Sequence, residues 1–125
     1  MTIAEAIRQA DILRPNAIPG DFKIRWCEEL DGQVAEFIGE DVPEQLDTLS
    51  EDITEQTESR ELLMPHPYEQ IYVLYLMAMV NNGQEETNLY ANDMAVFNEA
   101  FREARAWWRR KFAPHDDHYY KGVWH

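Results

Sequence analysis

Along the chain, stretches whose apolar residues recur every three or four positions alternate with stretches that are almost wholly polar. Ile3, Ala6, Ile7, Ala10 and Leu13 form the first such series, which puts them on one face of a helix. Thr2 and Glu5 stand at its start with the spacing of a capping box, in which hydroxyl and carboxylate satisfy backbone N–H groups left unpaired at a helix start. Arg14-Pro15-Asn16 ends the series, because the residue before a proline is pushed out of the α region. A second helix is predicted to begin near residues 19–21, with Phe22, Trp26, Leu30, Val34 and Phe37 as its stripe, broadened by Ile24, Cys27 and Ile38. Gly32 weakens this helix and Gly39 is predicted to end it.

Residues 40–60 break the pattern. Eight carboxylates, from Glu40 to Glu58, surround only Val42, Leu46, Leu49 and Ile53. Those four fall at helical spacing and Pro43 suits a helix start, so the stretch reads as a long acidic connection containing one short helical or extended piece. Connections of this length inside a domain are uncommon and are often functional or flexible; the alternative is a plain solvated linker.

Pro65 and Pro67 bracket His66 and announce a third helix over residues 68–81, with Pro67 in its first turn. Ile71 to Val80 is apolar on nearly every side, which fits a helix central in a core or partly covered by a partner. Asn81-Asn82-Gly83 is a strong stop and turn signal. The last and longest helix is predicted over residues 85–112. Its stripe is Leu89 and Tyr90, Met94, Phe97, Ala100 and Phe101, Ala104, Trp107 and Trp108, then Phe112. Glu85 and Glu86 at its start, and Arg102, Arg105, Arg109, Arg110 and Lys111 toward its end, match the helix macrodipole. Pro114 stops it. The expectation is an all-α, mainly helical fold: one domain over residues 1–114, a small bundle with a long antiparallel C-terminal hairpin, followed by a tail at 115–125.

Charge narrows the function. With 24 acidic against 11 basic residues, the net charge is −13 over 125 residues. Such a field repels phosphate backbones and anionic lipid, which argues against specific nucleic-acid binding and against a membrane-surface role. The apolar run from Ile71 to Val80 is about half of the ~20 residues a membrane span needs. The start, Met1-Thr2-Ile3-Ala4-Glu5, lacks the basic and apolar segments of a signal peptide, and one cysteine makes no intrachain disulfide. Cytoplasmic synthesis is the expectation.

Candidate chemistry is thin. The chain has no glycine-rich phosphate loop, nucleophile elbow or zinc-protease motif. Cys27 falls beside Trp26 near a buried stripe, whereas a reactive thiol needs an exposed, electropositive setting. His115-Asp116-Asp117-His118 has residue types that bind divalent ions, but it follows Pro114 in a polar tail without a fixed scaffold. The carboxylates of residues 40–61 repel one another and read as solvated. The expectation is therefore no enzyme, no cofactor and no metal site. Trp107-Trp108-Arg109-Arg110-Lys111 is the most distinctive local feature: it reads as the edge of the core, as a protein interface, since tryptophan and arginine are enriched at hot spots, or as a local nucleic-acid contact, which the overall charge opposes. Neighbours on a helix point about 100° apart, so one tryptophan is expected inside and the other at the stripe's edge. Trp107, Trp108, Arg109 and Arg110 are the candidate interface residues.

Taken in order, several segments resemble a known group. They are Arg14-Pro15-Asn16, Lys23-Ile24-Arg25-Trp26, Glu28-Glu29-Leu30-Asp31-Gly32 and Arg60-Glu61-Leu62-Leu63-Met64-Pro65-His66-Pro67-Tyr68. They continue with Tyr72, Tyr75-Leu76-Met77-Ala78, Tyr90-Ala91-Asn92 and Met94-Ala95-Val96-Phe97-Asn98. Together these resemble small virion-assembly proteins of tailed bacteriophages and prophages, of the head–tail connector or adaptor kind. The resemblance runs from about residue 3 to residue 114 and rests on packing and turn signatures, so no family site residue carries over. It implies a non-catalytic helical subunit, added as a ring of copies beneath the portal. Its partners would be the portal and neighbouring connector or tail-completion proteins. Its location would be the host cytoplasm during assembly, then the head–tail junction of the virion. The acidic loop and the tail would be contact arms, and the last helix part of the ring body. The alternative is a helical protein-binding module outside the virion, such as a phage-encoded regulator or an assembly chaperone.

Overall fold

The computed structural model describes residues 1–41 and 57–112. They form four α-helices, α1 (Ile3–Leu13), α2 (Gly20–Asp41), α3 (Gln70–Gly83) and α4 (Thr87–Phe112), with a 3-10 turn at Thr57–Ser59. The all-α expectation holds. The acidic stretch over residues 42–56 and the tail over 113–125, with its histidines, lie outside the described residues.

The capping box at α1 is formed as the sequence predicts: the Thr2 N–H donates to Glu5 Oε1 at 2.8 Å, and the Glu5 N–H donates to Thr2 Oγ1 at 3.1 Å. At the other end Asn16 organises the turn. Its amide donates to Asp11 Oδ1 and to the Arg14 carbonyl, while its Oδ1 accepts from the Ile18 N–H. The side-chain amide thus replaces helical bonds that Pro15 forbids.

Three boundaries differ from the sequence reading. α2 runs through Gly39 to Asp41. A terminating glycine needs a left-handed φ, and among the described glycines none has a positive φ, while buried Val34, Phe37 and Ile38 anchor the last turns of α2. α3 begins at Gln70, so Pro67 sits in a turn ahead of it, closed by the Tyr68 N–H donating to the Pro65 carbonyl; the His66–Pro67 peptide is cis. α4 begins at Thr87. Glu85 takes φ 62° and, with Glu86, belongs to the turn, so neither carboxylate lies in the helix's first turn.

α3 is the centre of the bundle, which explains its apolar composition on all sides. α1, α2 and α4 all pack on it, α4 most extensively. The antiparallel α3–α4 hairpin shows in its pairings: Asn81 with Asp93, Tyr75 with Phe97, and Tyr68 with Trp107, in that order away from the turn. Gly83 closes the hairpin where Ile18 and Trp26 approach, since an added Cβ would lie 3.0 Å from Ile18 Cδ1. The core joins Ile3 of α1, Leu30, Val34 and Ile38 of α2, and Ile71, Tyr72 and Leu76 of α3, with Met64 from the segment before α3. That segment runs alongside the amino terminus. The Ile3 N–H donates to the Arg60 carbonyl, the Leu62 N–H donates to the Met1 carbonyl, and Thr2 and Glu61 form an antiparallel bridge.

Candidate functional site

Two polar hubs hold the bundle together, and both are built on carboxylates. Asp31, midway along α2, is wholly buried. Its Oδ1 accepts from the Tyr72 hydroxyl at 2.6 Å and from the Leu63 N–H at 3.1 Å. Its Oδ2 lies 3.0 Å from Arg60 Nη2, an ion pair without hydrogen-bond alignment. The Tyr72 hydroxyl in turn accepts from the Met64 N–H at 3.0 Å. One carboxylate therefore fixes the 60–64 segment against α2 and α3. Taking such a charge out of water costs several kcal/mol unless it is paired and hydrogen-bonded, as it is here. Burial first, and then the charge of Asp31, pushes the Tyr72 hydroxyl well above the ordinary phenol range. Cys27, one turn before Asp31, is buried as expected; burial and the charges of Asp31 and Glu28 push its thiol up to about 12, which leaves it an inert core residue.

The second hub is Asp93 in α4. The Arg14 guanidinium grips it with two bonds of 2.9 Å, and the buried Asn81 amide donates to it at 2.6 Å. This joins the end of α1, the end of α3 and the first half of α4. Nearby, the buried Lys23 ammonium of α2 reaches Asp11 of α1 at 2.9 Å. These groups are engaged with one another as struts between helices. Among the described residues no group of three His, Cys, Asp or Glu side chains is placed to hold a metal ion, and no helix is long and apolar enough to cross a membrane.

Among the described residues, the outward surface of α4 sets charged and apolar side chains side by side. Of the tryptophan pair, Trp108 is buried and Trp107 is half-buried, the division expected from their angular offset. Trp107 packs on Tyr68 with ring centroids 4.9 Å apart, and Lys111 Nζ lies 5.4 Å above its ring. Arg109 and Arg110 are exposed. The predicted interface residues thus split between core and surface. Arg105 adds a feature that the sequence stripe did not single out. Its guanidinium lies 5.8 Å from the Phe37 ring and 6.0 Å from the Phe101 ring, where the cation faces their π-electrons. Phe37 comes from α2, so only the tertiary fold brings this trio together.

Besides a smaller pocket against α2, lined by Gln33, Glu36, Phe37, Phe101 and Arg105, two surface grooves lie along α4. One, about 380 Å³, has a floor of Phe101 and Ala106 and edges of Asn98, Arg102, Arg105 and Arg109. The other, about 440 Å³, is lined by Ala95, Val96, Glu99, Ala100 and Glu103. At about 100° per residue, the buried stripe (Phe97, Ala104, Trp108), the arginine groove and the glutamate groove occupy three sectors roughly 120° apart. Arg102 pairs with Glu99 at 2.5 Å across the ridge between the two exposed sectors. The arginine sector lies on the α2 side, through Phe37 and Phe101. The glutamate sector lies on the side where Arg14 and Tyr68 meet α4.

Compared with known proteins, the chain matches no family model, no curated protein and no solved structure.

Proposed function

We propose that this chain is a structural assembly protein of a tailed phage or prophage, a head–tail connector subunit that binds the portal vertex and neighbouring copies of itself, with no catalytic role. The observation that carries this reading is the division of labour among its polar groups. The buried ones, Asp31, Tyr72, Lys23 and Asn81, are engaged in joining helices. The 26-residue α4 meanwhile turns one stripe inward and offers two grooves lined by charged and apolar side chains to solvent. Such an arrangement suits a protein that works by surface contact. The acidic balance of the chain, −13 overall, also suits a channel through which DNA must slide without adhering.

The test is mass spectrometry of particles purified after induction of the source strain, with copy number measured against the portal protein. About one copy per portal subunit is expected of a connector ring. Presence in the lysate with absence from intact particles would overturn the connector reading. That result would favour a helical partner protein, regulator or chaperone, which acts and leaves.

A further inference from the structure

α4 carries its two charged sectors on different sides of one helix, and the two match each other. Each is a shallow groove lined by apolar side chains and by charges of one sign. Arg105 lies over the Phe37 and Phe101 rings, which favours this placement of its charge. On the opposite flank Val96 is 55% exposed, an apolar side chain in the same groove as Glu99 and Glu103. The same side of α4 holds the end of α1 through the Arg14–Asp93 fork, and there Ile12 and Leu13 are 71% and 52% exposed.

We propose that the glutamate sector of α4 (Glu103, Val96) in one copy docks on the arginine sector (Arg105, Arg109) of a second copy of this chain, with the Arg102–Glu99 pair of each copy on the ridge between its two sectors. Charge complementarity selects the occupant. A chain of net charge −13 repels its own kind at long range, so association between copies needs a local cationic surface, and the arginine sector supplies one. Because the two sectors are different surfaces, the contact is heterologous. It leaves one sector unused on each end copy and propagates into a ring or a row instead of closing as a two-fold dimer. This rests on the assembly reading above and names the faces by which neighbouring copies would meet. Particle incorporation tests that reading, whereas association of the pure protein tests this one, so the failure of either is recognisable by itself.

The experiment uses two variants of the full chain and sedimentation velocity at 0.15 M salt, where screening beyond about 8 Å removes most of the general repulsion. One variant carries Arg105→Glu and Arg109→Glu, the other Glu99→Lys and Glu103→Lys. The wild type is expected to form species larger than a dimer as concentration rises, and each variant alone is expected to remain monomeric. Mixed one to one, the two intact sectors complement each other and so do the two reversed ones, so association beyond a dimer is expected to return. Far-UV circular dichroism and thermal melts check that both are folded. Should the arginine variant melt early, Arg105→Gln with Arg109→Gln replaces it. Two results would overturn the proposal. One is monomeric wild type with no complex in the mixture. The other is loss of association in the arginine variant alone, which would mean that the arginine sector takes an acidic segment elsewhere, such as residues 42–56.

Discussion

Asp31 and Asp93 do the same job in two different settings. Each is a carboxylate on a long helix that gathers two other segments, Asp31 through Tyr72, the Leu63 N–H and Arg60, Asp93 through Arg14 and Asn81. Asp31 is wholly buried, whereas the side chain of Asp93 is 13% exposed and that of its arginine 31%. Water can replace part of what Asp93 loses and nothing that Asp31 loses. The contrast teaches where the molecule is committed. Around Asp31 the polar groups are locked into the fold, and toward the outer face of α4 they stand at the solvent boundary.

The sharpest way to break the contrast is Asp31→Ala. It leaves the Tyr72 hydroxyl, the Leu63 N–H and the Arg60 guanidinium without their acceptor, and a loss of about 3–5 kcal/mol in urea unfolding is expected. Asp93→Ala should cost less, roughly 1–3 kcal/mol, because Arg14 can turn to solvent. Equal losses at the two sites would abolish the distinction.

Cys27 gives a pH-dependent reading of the same buried region. Its thiol is pushed from 9.0 up to about 12, so the folded protein keeps this proton at pH values where the unfolded chain has released it. The contribution is fully present below pH 9. Above it the unfolded state binds fewer protons, so stability falls with rising pH, by about 1.4 kcal/mol per unit over that window. Tyr72 acts in the same direction above its ordinary value of 10.0. Urea midpoints measured between pH 8 and 10.5 should show this decline, and Cys27→Ala should flatten its onset.

Smaller still is the amino-terminal cap. Thr2→Ala removes one half of the capping box and is expected to cost about 1 kcal/mol. At the bottom of the scale, Glu103→Ala on the exposed sector should change stability by no more than about 0.5 kcal/mol in either direction.

The helices themselves were legible because their signals are local. The Thr2–Glu5 box, the Arg14-Pro15-Asn16 stop and the three-four spacing in α4 each need only a short window of sequence. The boundaries that shifted did so where tertiary structure decides. Packing of Phe37 and Ile38 carries α2 through Gly39, and the backbone at Glu85 turns left-handed to close the hairpin. The hubs were not legible. Asp31 and Tyr72 are 41 positions apart and Arg14 and Asp93 are 79 apart, and no periodicity announces such pairs. The candidate surface was half legible. Trp107-Trp108-Arg109-Arg110 drew notice by composition, but the Arg105–Phe37 contact joins two helices, and the glutamate sector is an ordinary solvated face until its opposite is seen.

If the proposed connector role is right, its most direct test is the copy number, per portal subunit, of the Glu99→Lys, Glu103→Lys variant in particles made without the wild-type chain. A fold held by its interior and a function carried on the outer face of α4 predict that this variant melts within a few degrees of wild type yet is missing from, or strongly depleted in, the particles. Incorporation at the wild-type copy number would contradict that claim.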